Sequence, residues 1–368
     1  MKNLETLIQE LCPDGVEFVK LGDVCEIKTG KGITQKDCSE SSKYPVYSGG
    51  KEPMGYYKEF NRNANTVTVS RVGAYAGFVN YVTEDFYLND KCFSVLPQKD
   101  EDINSKYLYY KLKALECSII NMQSGGGVPT INTKKVGSLE IPLPPIEVQT
   151  EIVRILDKFT SLEAELEAEL DCRKRQYEYY RDKLLSFDNV GGQEAEWKKI
   201  GEICKIMNGR DYKHLSEGDI PVYGSGGIMT YVNESAYNKP SLLIPRKGSI
   251  GNLFYVETPF WTVDTLYWTK IDECLIVPKF FYYYMTTKDL TKLNMAAGVP
   301  SLTQSMLYKI KIPIPSLEEQ HRIVSILDRF ESLTTSLQSG LPAEIAARRQ
   351  QYEHYRDKLL TFKRKGAA

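Results

Sequence analysis

A segment that occurs twice constrains the fold of this chain more than any other feature of its 368 residues. The first copy opens with IPLPPIEVQ at Ile141–Gln149 and closes with YEYYRDKLLSF at Tyr177–Phe187. The second copy opens with IPIPSLEEQ at Ile312–Gln320 and closes with YEHYRDKLLTF at Tyr352–Phe362, so the closing stretches share 9 of 11 residues. Repetition of this kind predicts a fold built from two equivalent halves.

Both copies read as long helices that pack along a narrow seam. In the first copy apolar residues follow an alternating spacing of four and three, interrupted only by Glu163 and Arg173, which is typical of a helix buried against another helix. Prolines 142, 144 and 145 mark an extended connector before the helix, because the residue before a proline is disfavoured in the α region. At about 1.5 Å per residue the first helix would be on the order of 60 Å long. The seam and helix-start residues are Gln149, Ile152, Leu156, Phe159, Leu166, Leu170, Tyr177, Tyr180, Leu184 and Phe187 in the first copy, and Gln320, Ile323, Leu327, Phe330, Tyr352, Tyr355 and Leu359 in the second.

The middle of the repeated segment differs between the two copies. The first contains LEAELEAEL at Leu162–Leu170, which repeats a tetrapeptide of strong helix formers. The second contains SLQSGLPAEIAARR at Ser336–Arg349 and is four residues longer. We expect Gly340 and Pro342 to break or kink the second helix, with Pro342 suited to the first turn of a new one.

A globular part precedes each long helix, and we call residues 16–146 the first globule and residues 191–316 the second globule. Matched stretches include YPVYSGG with IPVYGSGG, VTVSRVGAYAG with LLIPRKGSIGN, and GGVPT with AGVPS. Short strands, Gly-rich turns and aromatic-rich helices at Lys106–Leu112 and Lys279–Met285 predict an α+β fold for each globule. The alternating pattern at Val16–Ile27 predicts that the first globule opens with a strand.

The predicted order is a short N-terminal helix at residues 1–15, the first globule, a central long helix at 147–190, the second globule, and a C-terminal helical region at 317–368. We expect the C-terminal helix to return to the start of the chain. The two long helices would then pair in antiparallel, coiled-coil-like fashion, and a pseudo-twofold axis would relate the two halves.

Composition narrows the class of protein. With 42% hydrophobic and 26% charged residues the chain suits ordinary globular folding, and it has no apolar run of 18 residues. Its eight cysteines form no CxxC pair, which favours free buried thiols in a reducing cytoplasm over disulfides or zinc. Residues 17–146 carry 16 basic and 15 acidic side chains, residues 193–316 carry 14 and 12, and residues 147–187 carry 7 and 10. Any basic bias toward nucleic acid therefore lies in the globules and is small.

No active site is recognisable in the sequence. The chain lacks the GxxxxGK[ST] phosphate loop, the Asn-Pro-Pro-aromatic signature of amino-methyltransferases and a GxGxxG after a strand. Pro13-Asp14 with Glu17 and Lys20 is loosely similar to a PD-(D/E)xK nuclease motif, but the spacing differs and Pro13-Asp14-Gly15 makes a good turn. The three histidines have no triad-like context, so we expect them, like the rest of the chain, to be non-catalytic.

Each globule repeats a pattern suited to nucleic-acid recognition. A Gly-rich turn lies beside tyrosines, and an Arg-x-Gly follows a strand at Arg71 and at Arg246. Glycine lets a backbone approach a phosphate closely, and arginine can contact guanine through two hydrogen bonds. The alternative is structural: Gly-rich turns commonly close hairpins, either arginine could form an internal ion pair, and the aromatic clusters at Tyr107–Tyr110 and Phe280–Tyr284 fit a core better than a stacking platform. The candidate DNA-binding residues are Lys51, Tyr56, Arg71, Lys91, Ser225, Arg246, Lys247 and Ser249.

These motifs together give the chain a resemblance to a known family. The duplicated IPLPPIEVQ…IVRILDKF and IPIPSLEEQ…IVSILDRF, the LEAE tetrapeptides and LPAEIAARRQQYEHYRDKLL resemble those of the specificity subunits of type I restriction-modification systems. The resemblance implies that each globule is a target recognition domain for one half of a bipartite, asymmetric DNA site. It further implies that the paired helices act as spacers that set the gap between the half-sites and dock two methyltransferase subunits.

The resemblance also assigns chemistry to partners rather than to this chain. S-adenosylmethionine for adenine-N6 methylation, ATP and Mg²⁺ are expected in the methyltransferase subunits and in motor-nuclease subunits that act with them on double-stranded DNA. Three alternatives stay open: a stand-alone DNA methyltransferase or nuclease, an assembly scaffold whose globules do not read DNA, and the equivalent subunit of a type IIB-like system.

Overall fold

The computed structural model divides into two compact units. We call Met1–Leu166 with Ile345–Ala368 lobe 1, and Glu167–Glu344 lobe 2. Each lobe combines one globule with parts of two long helices, and the division falls inside the LEAE repeats. The described residues are 4–99, 101–124, 127–187, 195–293, 301–335 and 340–366.

Lobe 1 begins with a short helix, continues as a mixed globule and leads into the central helix. Its elements in chain order are α1 (Leu4–Leu11), β1 (Phe18–Lys20), α2 (Leu21–Val24), β2 (Cys25–Thr29), a 3-10 turn (Gln35–Asp37), β3 (Tyr44–Tyr47), β4 (Tyr56–Tyr57), β5 (Thr66–Ser70), β6 (Val79–Val82), β7 (Tyr87–Leu88), β8 (Cys92–Pro97), α3 (Ser105–Ala114), α4 (Glu116–Ile120), α5 (Thr133–Gly137), β9 (Glu140–Pro142) and α6 (Ile146–Leu184), of which the last part belongs to lobe 2.

Three small sheets form the first globule. The largest is antiparallel with the order β2-β8-β5-β6, and every residue of its inner strand β5 is buried. In the second sheet, β4-β3-β7, strand β3 pairs antiparallel with β4 and parallel with β7. The third sheet pairs β1 with β9, which joins the first strand of the globule to the last. The α3 helix supplies Leu108 and Leu112 to the core beneath the largest sheet.

Lobe 2 repeats this topology strand for strand. Its sheets have the orders β11-β17-β14-β15, β13-β12-β16 and β10-β18, with the same parallel and antiparallel pairings as in lobe 1. The duplication seen in the helices therefore extends through the globules, which confirms the predicted α+β, internally repeated fold. The elements are β10 (Glu196–Lys199), α7 (Ile200–Ile203), β11 (Cys204–Asn208), β12 (Ile220–Gly224), β13 (Gly227–Val232), β14 (Ser241–Pro245), β15 (Phe254–Val256), β16 (Trp261–Thr262), β17 (Leu266–Ile271), α8 (Pro278–Thr286), a 3-10 turn (Leu290–Leu293), α9 (Gln304–Leu307), β18 (Lys311–Ile314), α10 (Leu317–Thr335) and α11 (Leu341–Leu359), the last of which lies mostly in lobe 1.

The single opening strand predicted at Val16–Ile27 was wrong. A one-turn helix, α2, separates β1 from β2, and its first residue Leu21 is fully buried in the core. The Leu21 amide donates a hydrogen bond to the Leu139 carbonyl at 2.8 Å, just before β9. The turn moves the chain from the small β1–β9 sheet to the largest sheet, a change that local alternation cannot reveal. Lobe 2 makes the same turn with α7, where the Ile200 amide donates to Ile310 at 3.0 Å.

The aromatic-rich helices are core elements, as the sequence favoured. In α3, Tyr107 and Tyr110 are at most 1% exposed, and the same holds for Phe280 and Tyr283 in α8. Asn104 caps α3 because its side-chain oxygen accepts hydrogen bonds from the backbone amides of Lys106 and Tyr107. These helices therefore support the sheets rather than offering rings for base stacking.

The central helix α6 begins at Ile146, directly after the proline connector, and has 39 residues. At about 1.5 Å per residue it is roughly 58 Å long, close to the expectation. Its seam is fully buried near the start, at Ile152 and Leu156, and half-buried at Leu166 and Leu170. The burial is greatest where the helix packs on a globule.

Each lobe pairs the beginning of one long helical copy with the end of the other. In lobe 1, Phe159 of α6 stacks on Tyr355 of α11 with ring centroids 5.4 Å apart. In lobe 2, Tyr180 of α6 stacks on Phe330 of α10 at 5.8 Å. The second copy is therefore the packing partner of the first, as the seam predicted.

The end of the chain returns to its start, as expected. Residues after α11 pair with Val16, whose amide donates to the Lys363 carbonyl at 2.8 Å and whose carbonyl accepts from the Lys365 amide at 2.9 Å. Leu360 is buried in one cluster with Leu4 of α1. The DKLLTF stretch thus completes lobe 1, just as Leu185 and Phe187 of DKLLSF complete the core of lobe 2.

The second helical copy is broken where glycine and proline predicted. Helix α10 ends at Thr335 and α11 begins at Leu341, with Pro342 in its first turn. Gly340 has φ +81°, and a Cβ on it would lie 2.7 Å from the Ser332 carbonyl oxygen, so glycine is required there. Residues 336–339 lie outside the described part of the chain.

Candidate nucleic-acid interface

In lobe 1, the Arg-x-Gly loop after β5 lies between two other loops. The Arg71 amide donates to the Lys91 carbonyl at 2.7 Å, and the Arg71 carbonyl accepts from the Ile131 amide at 2.9 Å. On the same side the Gly73 amide donates to the Pro129 carbonyl at 3.0 Å. Stretches far apart in sequence, each with a counterpart in the second globule, therefore meet at one end of the largest sheet.

Lobe 2 builds the same arrangement after β14. The Arg246 amide donates to the Thr265 carbonyl, and the Leu302 amide donates to the Arg246 carbonyl, both at 2.9 Å. Lys247 forms a bridge with Ser301, as Val72 does with Thr130 in lobe 1. Residues 297–300 of the AGVPS stretch, and 126 of GGVPT, lie outside the described residues. Two copies of one loop arrangement indicate a shared role for the Arg-x-Gly loops.

The Gly-rich turns pack against the Arg-x-Gly loops, and the close contact accounts for a glycine on one side of it in each globule. A Cβ on Gly49 would lie 2.3 Å from the Val72 carbonyl oxygen, which is an impossible contact. In lobe 2, Gly248 has φ +77°, and a Cβ there would lie 3.3 Å from the Ser225 hydroxyl. The turn and the Arg-x-Gly loop are thus in direct contact in each globule, and glycine permits the close approach.

A cavity of about 790 Å³ opens beside the lobe 1 turn. Lys91 lines it together with three carboxylates, Asp37, Glu52 and Asp90. Lysine can donate to guanine and carboxylates can accept from the amino group of cytosine, so this wall can discriminate among base edges. The other lining residues are Gly32, Ile33, Thr34, Gln35, Ser48, Gly49, Gly50, Met54, Val72, Gly73 and Asn89.

The candidate residues of lobe 1 gather around this region. Lys51 lies over the exposed ring of Tyr75 at 5.4 Å, and Lys91 is exposed. Arg71 is half-buried, and its Nη1 donates a hydrogen bond to the Asp90 carbonyl at 3.2 Å. The same residue lines a second cavity of about 380 Å³. Tyr56 lies on β4, two residues beyond the cavity wall, and is 44% exposed.

The candidates of lobe 2 occupy the corresponding loops. The Arg246 guanidinium lies 5.2 Å from the centre of the Tyr267 ring, an arrangement that holds it by a cation–π contact. Lys247 and Ser249 are exposed, and Ser225 is half-buried. Both Arg-x-Gly arginines are therefore held in place by the protein without a carboxylate partner among the described residues.

Another arginine shows what a purely structural role looks like. Arg62 donates to the Ser94 hydroxyl at 2.8 Å and to the carbonyls of Asn61 and Lys28 at 2.7 and 3.3 Å. Burial lowers the pKa of this guanidinium from its ordinary value. Arg62 therefore holds the first globule together, whereas the Arg71 side chain makes one such bond to the described residues, with the Asp90 carbonyl.

Sequence reasoning missed exposed apolar residues next to the second turn. Ile228 and Met229 of β13 are 50% and 58% exposed. They lie on the same strand as Tyr231, which is 50% exposed and is the tyrosine that the sequence already placed beside this turn. Large exposed apolar patches commonly mark interaction sites, and apolar side chains can contact thymine methyl groups. The sequence pattern that could have indicated this exposure is the GIMTYV stretch, because it lacks the regular alternation of a strand with one buried face.

Several of the helix residues proposed for docking are internal. Gln149, Ile152 and Leu156 of α6 are fully buried in lobe 1, as are Gln320, Ile323 and Leu327 of α10 in lobe 2. Their side chains hold each lobe together and cannot contact a partner directly. Tyr180 and Tyr355 are each 38% exposed and could do so.

The cysteines are free thiols, but only part of the set is buried. Cys117, Cys172 and Cys274 are exposed, which corrects the expectation of buried thiols. Burial raises the pKa of Cys25 to about 12 and that of Cys92 to about 11, so neither suits a nucleophile. Within the described ranges no cluster of His, Cys, Asp or Glu could hold a metal ion, and none of the helices could cross a membrane.

Comparisons with known proteins point to one family. The sequence profile described as the type I restriction modification DNA specificity domain matches residues 13–171 and again residues 193–347. A putative type I restriction enzyme specificity subunit of Haemophilus influenzae, S.HindORF215P, is 31% identical over 98% of this chain and 100% of its own length. The EcoR124I/EcoR124II specificity subunit of Escherichia coli is also 31% identical, over 98% and 97%.

Solved structures show the same fold at low sequence identity. The S subunit of a type I restriction-modification system from M. genitalium aligns with a TM-score of 0.63 at 22% identity, covering 94% of this chain and 96% of that one. The HsdS subunit of Thermoanaerobacter tengcongensis aligns with a TM-score of 0.51 at 19% identity, covering 95% and 97%.

Proposed function

The chain belongs to the type I restriction-modification DNA specificity family, and we propose that each globule reads one half of a bipartite, asymmetric DNA site. The observation that carries the proposal is the loop arrangement built twice around Arg71 and Arg246. Two equivalent scaffolds present different side chains: Lys51 and Lys91 beside carboxylates in one, and Lys247 and Ser249 beside exposed apolar residues in the other. Such readers suit two different half-sites.

The long helices would set the distance between the two half-sites. Helix α6 runs from the first globule to the second without interruption and is roughly 58 Å long. A continuous helix of strong helix formers suits a spacer, because its length changes in fixed steps with the number of residues. Helix α10 and helix α11, separated near Gly340, form a different second spacer.

The partners would supply the chemistry. We assign adenine-N6 methylation with S-adenosylmethionine to two methyltransferase subunits, and ATP with Mg²⁺ to motor-nuclease subunits, all acting in the cytoplasm on double-stranded DNA. The relatives support this division because their names describe specificity subunits. Exposed aromatic residues on the helices, such as Tyr180 and Tyr355, are candidates for the docking surface.

The test is the methylation pattern of host DNA read by single-molecule sequencing. The chain is expressed with its methyltransferase subunit, and each is also expressed alone. We expect methylated adenines in a new split motif only when both proteins are present. Methylation by the methyltransferase alone, or a continuous motif, would refute the two-reader proposal. Methyl transfer by the isolated chain would identify it as an enzyme instead.

A further inference from the structure

Each globule is joined to its long helix by the same buried glutamine. In lobe 1, Gln149 is fully buried and its Oε1 accepts from the Asn104 amide at 2.9 Å. Its Nε2 donates to the carbonyls of Asp102 and Pro144, both at 2.8 Å. One side chain on α6 therefore binds the start of α3, the loop before it and the proline connector.

Lobe 2 repeats these contacts position by position. Gln320 is fully buried, and its Oε1 accepts from the Val277 amide at 2.7 Å. Its Nε2 donates to the carbonyls of Leu275 and Pro315, at 3.2 and 2.9 Å. In both lobes one acceptor lies five residues before the glutamine and the other lies two residues before the bound amide. Every polar group of the glutamine side chain is used in this way.

An aspartate two turns further along the helix makes the second attachment. Asp157 accepts from the Tyr110 hydroxyl at 2.6 Å and pairs with the Lys106 ammonium at 2.8 Å. In lobe 2, Asp328 pairs with Lys279 at 2.9 Å, and the Tyr283 hydroxyl lies 2.5 Å from Asp328 and 2.8 Å from Glu331, so two carboxylates share its single hydrogen. The lysine and tyrosine are four residues apart in both helices, and the glutamine and aspartate are eight residues apart.

The tyrosine hydroxyls are reliable donors. Burial and the hydrogen bond to Asp157 raise the pKa of Tyr110 above its ordinary value, and burial with Asp328 and Glu331 does the same for Tyr283. Both hydroxyls therefore stay protonated at neutral pH. Two attachment points, about 12 Å apart along the helix, prevent the aromatic helix from swinging about either one.

A small rotation of a globule on its long helix would change the distance between the two half-sites that the globules can reach. A globule of about 130 residues has a radius of gyration of roughly 14 Å, so its far loops lie about 28 Å from the helix. A swing of 10° would move those loops by about 5 Å. One base pair rises only about 3.4 Å along DNA. A spacer that selects one gap length therefore needs a stiff joint at each globule as well as a stiff helix.

We propose that Gln149 with Asp157, and Gln320 with Asp328, are positioning residues that restrict the complex to a single gap length. The inference rests on the proposed function, because the gap has meaning only if the globules read two half-sites. The proposed role of these residues needs no contact with DNA, because they fix the angle of each globule on its helix. They explain why IVRILDKF and IVSILDRF retain the aspartate while the globules diverge.

The test uses the complex assembled with its methyltransferase subunits and the double variant Tyr110→Phe with Tyr283→Phe. Methylation rates are compared on duplexes with the native gap and with gaps one base pair shorter or longer. We expect the preference for the native gap to fall at least about ten-fold, because one hydrogen bond to a charged group is worth about that factor and the variant removes one at each globule. Base preference at both half-sites should stay unchanged. Tyr107→Phe is the matched control, because that buried hydroxyl on the same helix donates to Pro142 of the globule itself, at 3.0 Å.

Two further measurements separate positioning from folding. Asp157→Asn with Asp328→Asn should retain most of the gap preference, because the amide oxygen still accepts from tyrosine. Gln149→Met with Gln320→Met should expose the Asn104 and Val277 amides to hydrogen exchange in the complex without DNA, while the β5 amides stay protected. The exchange result reports on the junction even if DNA reading is absent.

The outcomes are distinguishable. An unchanged gap preference in the double tyrosine variant, or an equal loss in Tyr107→Phe, would overturn the inference. A joint loss of gap and base preference would also overturn it, since that indicates damage to the globule. If the unaltered complex had no gap preference, the proposed function itself would fail before any variant was compared, and the positioning role would fail with it.

Discussion

Deleting Leu166–Glu169 removes one LEAE tetrapeptide from α6 and should shorten the preferred gap between half-sites. Four residues account for about 6 Å of helix and a net rotation of about 40°. The length corresponds to about two base pairs of rise and the rotation to about one base pair of twist. We therefore expect the optimum gap to become one or two base pairs shorter, with both half-sites unchanged.

The local structure indicates that the helix tolerates this deletion. Arg173 pairs with Glu169 four residues earlier, at 3.3 Å, and after the deletion Glu165 occupies that position. Leu170 likewise replaces Leu166 on the half-buried seam. The exposed helix pair at this position contributes no more than about 0.5 kcal/mol to the free energy of unfolding, and the deletion re-forms it with Glu165. The deletion removes none of the globule or junction residues.

The assay is methylation of a duplex panel in which only the gap varies, using the complex with its methyltransferase. Replacing Leu166–Glu169 by four alanines is the control, because it changes the side chains but not the length and should leave the optimum where it was. A correctly assembled deletion variant with an unchanged optimum would refute the spacer reasoning. A shift in the alanine variant would show that side chains, rather than length, select the gap.

Three further predictions address the globules. Arg71→Ala and Arg246→Ala should each weaken binding by about 1–3 kcal/mol and relax base preference at one half-site only, measured by titrating duplexes with single altered pairs; equal effects at both half-sites would contradict separate readers. Gly49→Ala should impair recognition of the first half-site, because the added Cβ would lie 2.3 Å from a carbonyl oxygen. Gly226→Ala, in the turn of the second globule, adds a Cβ in open space and should leave recognition of the second half-site unchanged. The raised pKa of the Cys25 thiol, about 12 when folded against 9.0 as the ordinary value, means that the folded state holds this proton more tightly. The resulting stability is present below pH 9 and is lost as pH rises toward 12. The free energy of unfolding, measured by chemical denaturation, should therefore decrease less between pH 8 and pH 10.5 for Cys25→Ala than for the unaltered chain.

The arginines illustrate the limit of reading function from residue type. Arg62 and Arg71 lie nine residues apart in the same globule, with β5 between them. Arg62 is bound by a hydroxyl and by several backbone carbonyls, while the Arg71 guanidinium is bound, among the described residues, by one backbone carbonyl. No local pattern distinguishes them, because the groups that bind Arg62, apart from the neighbouring Asn61 carbonyl, come from β2 and β8. The repeat singled out Arg71, since Arg246 occupies the matching place.

The glutamines illustrate the same limit, because residues expected on a docking surface lie inside the protein. Their repetition marked Gln149 and Gln320 as important, and their position on long helices favoured a docking role. The fold buries both completely and uses them to join helix to globule. Burial depends on which segments pack together, and that information lies more than 40 residues away along the chain.

The sequence by itself determined the elements that depend on local chemistry. The start of α6 after its prolines, the break at Gly340, the helical character of the aromatic stretches and the twofold duplication all follow from spacing and from backbone preferences of neighbouring residues. Tertiary structure decided what each element faces: that α2 divides an expected strand, that the glutamines of the long helices are buried, and that the Arg-x-Gly loops meet stretches 19 to 60 residues away. The physical reason is that periodicity records whether a side is apolar, whereas the partner that covers it is selected by shape and hydrogen bonding across the folded chain.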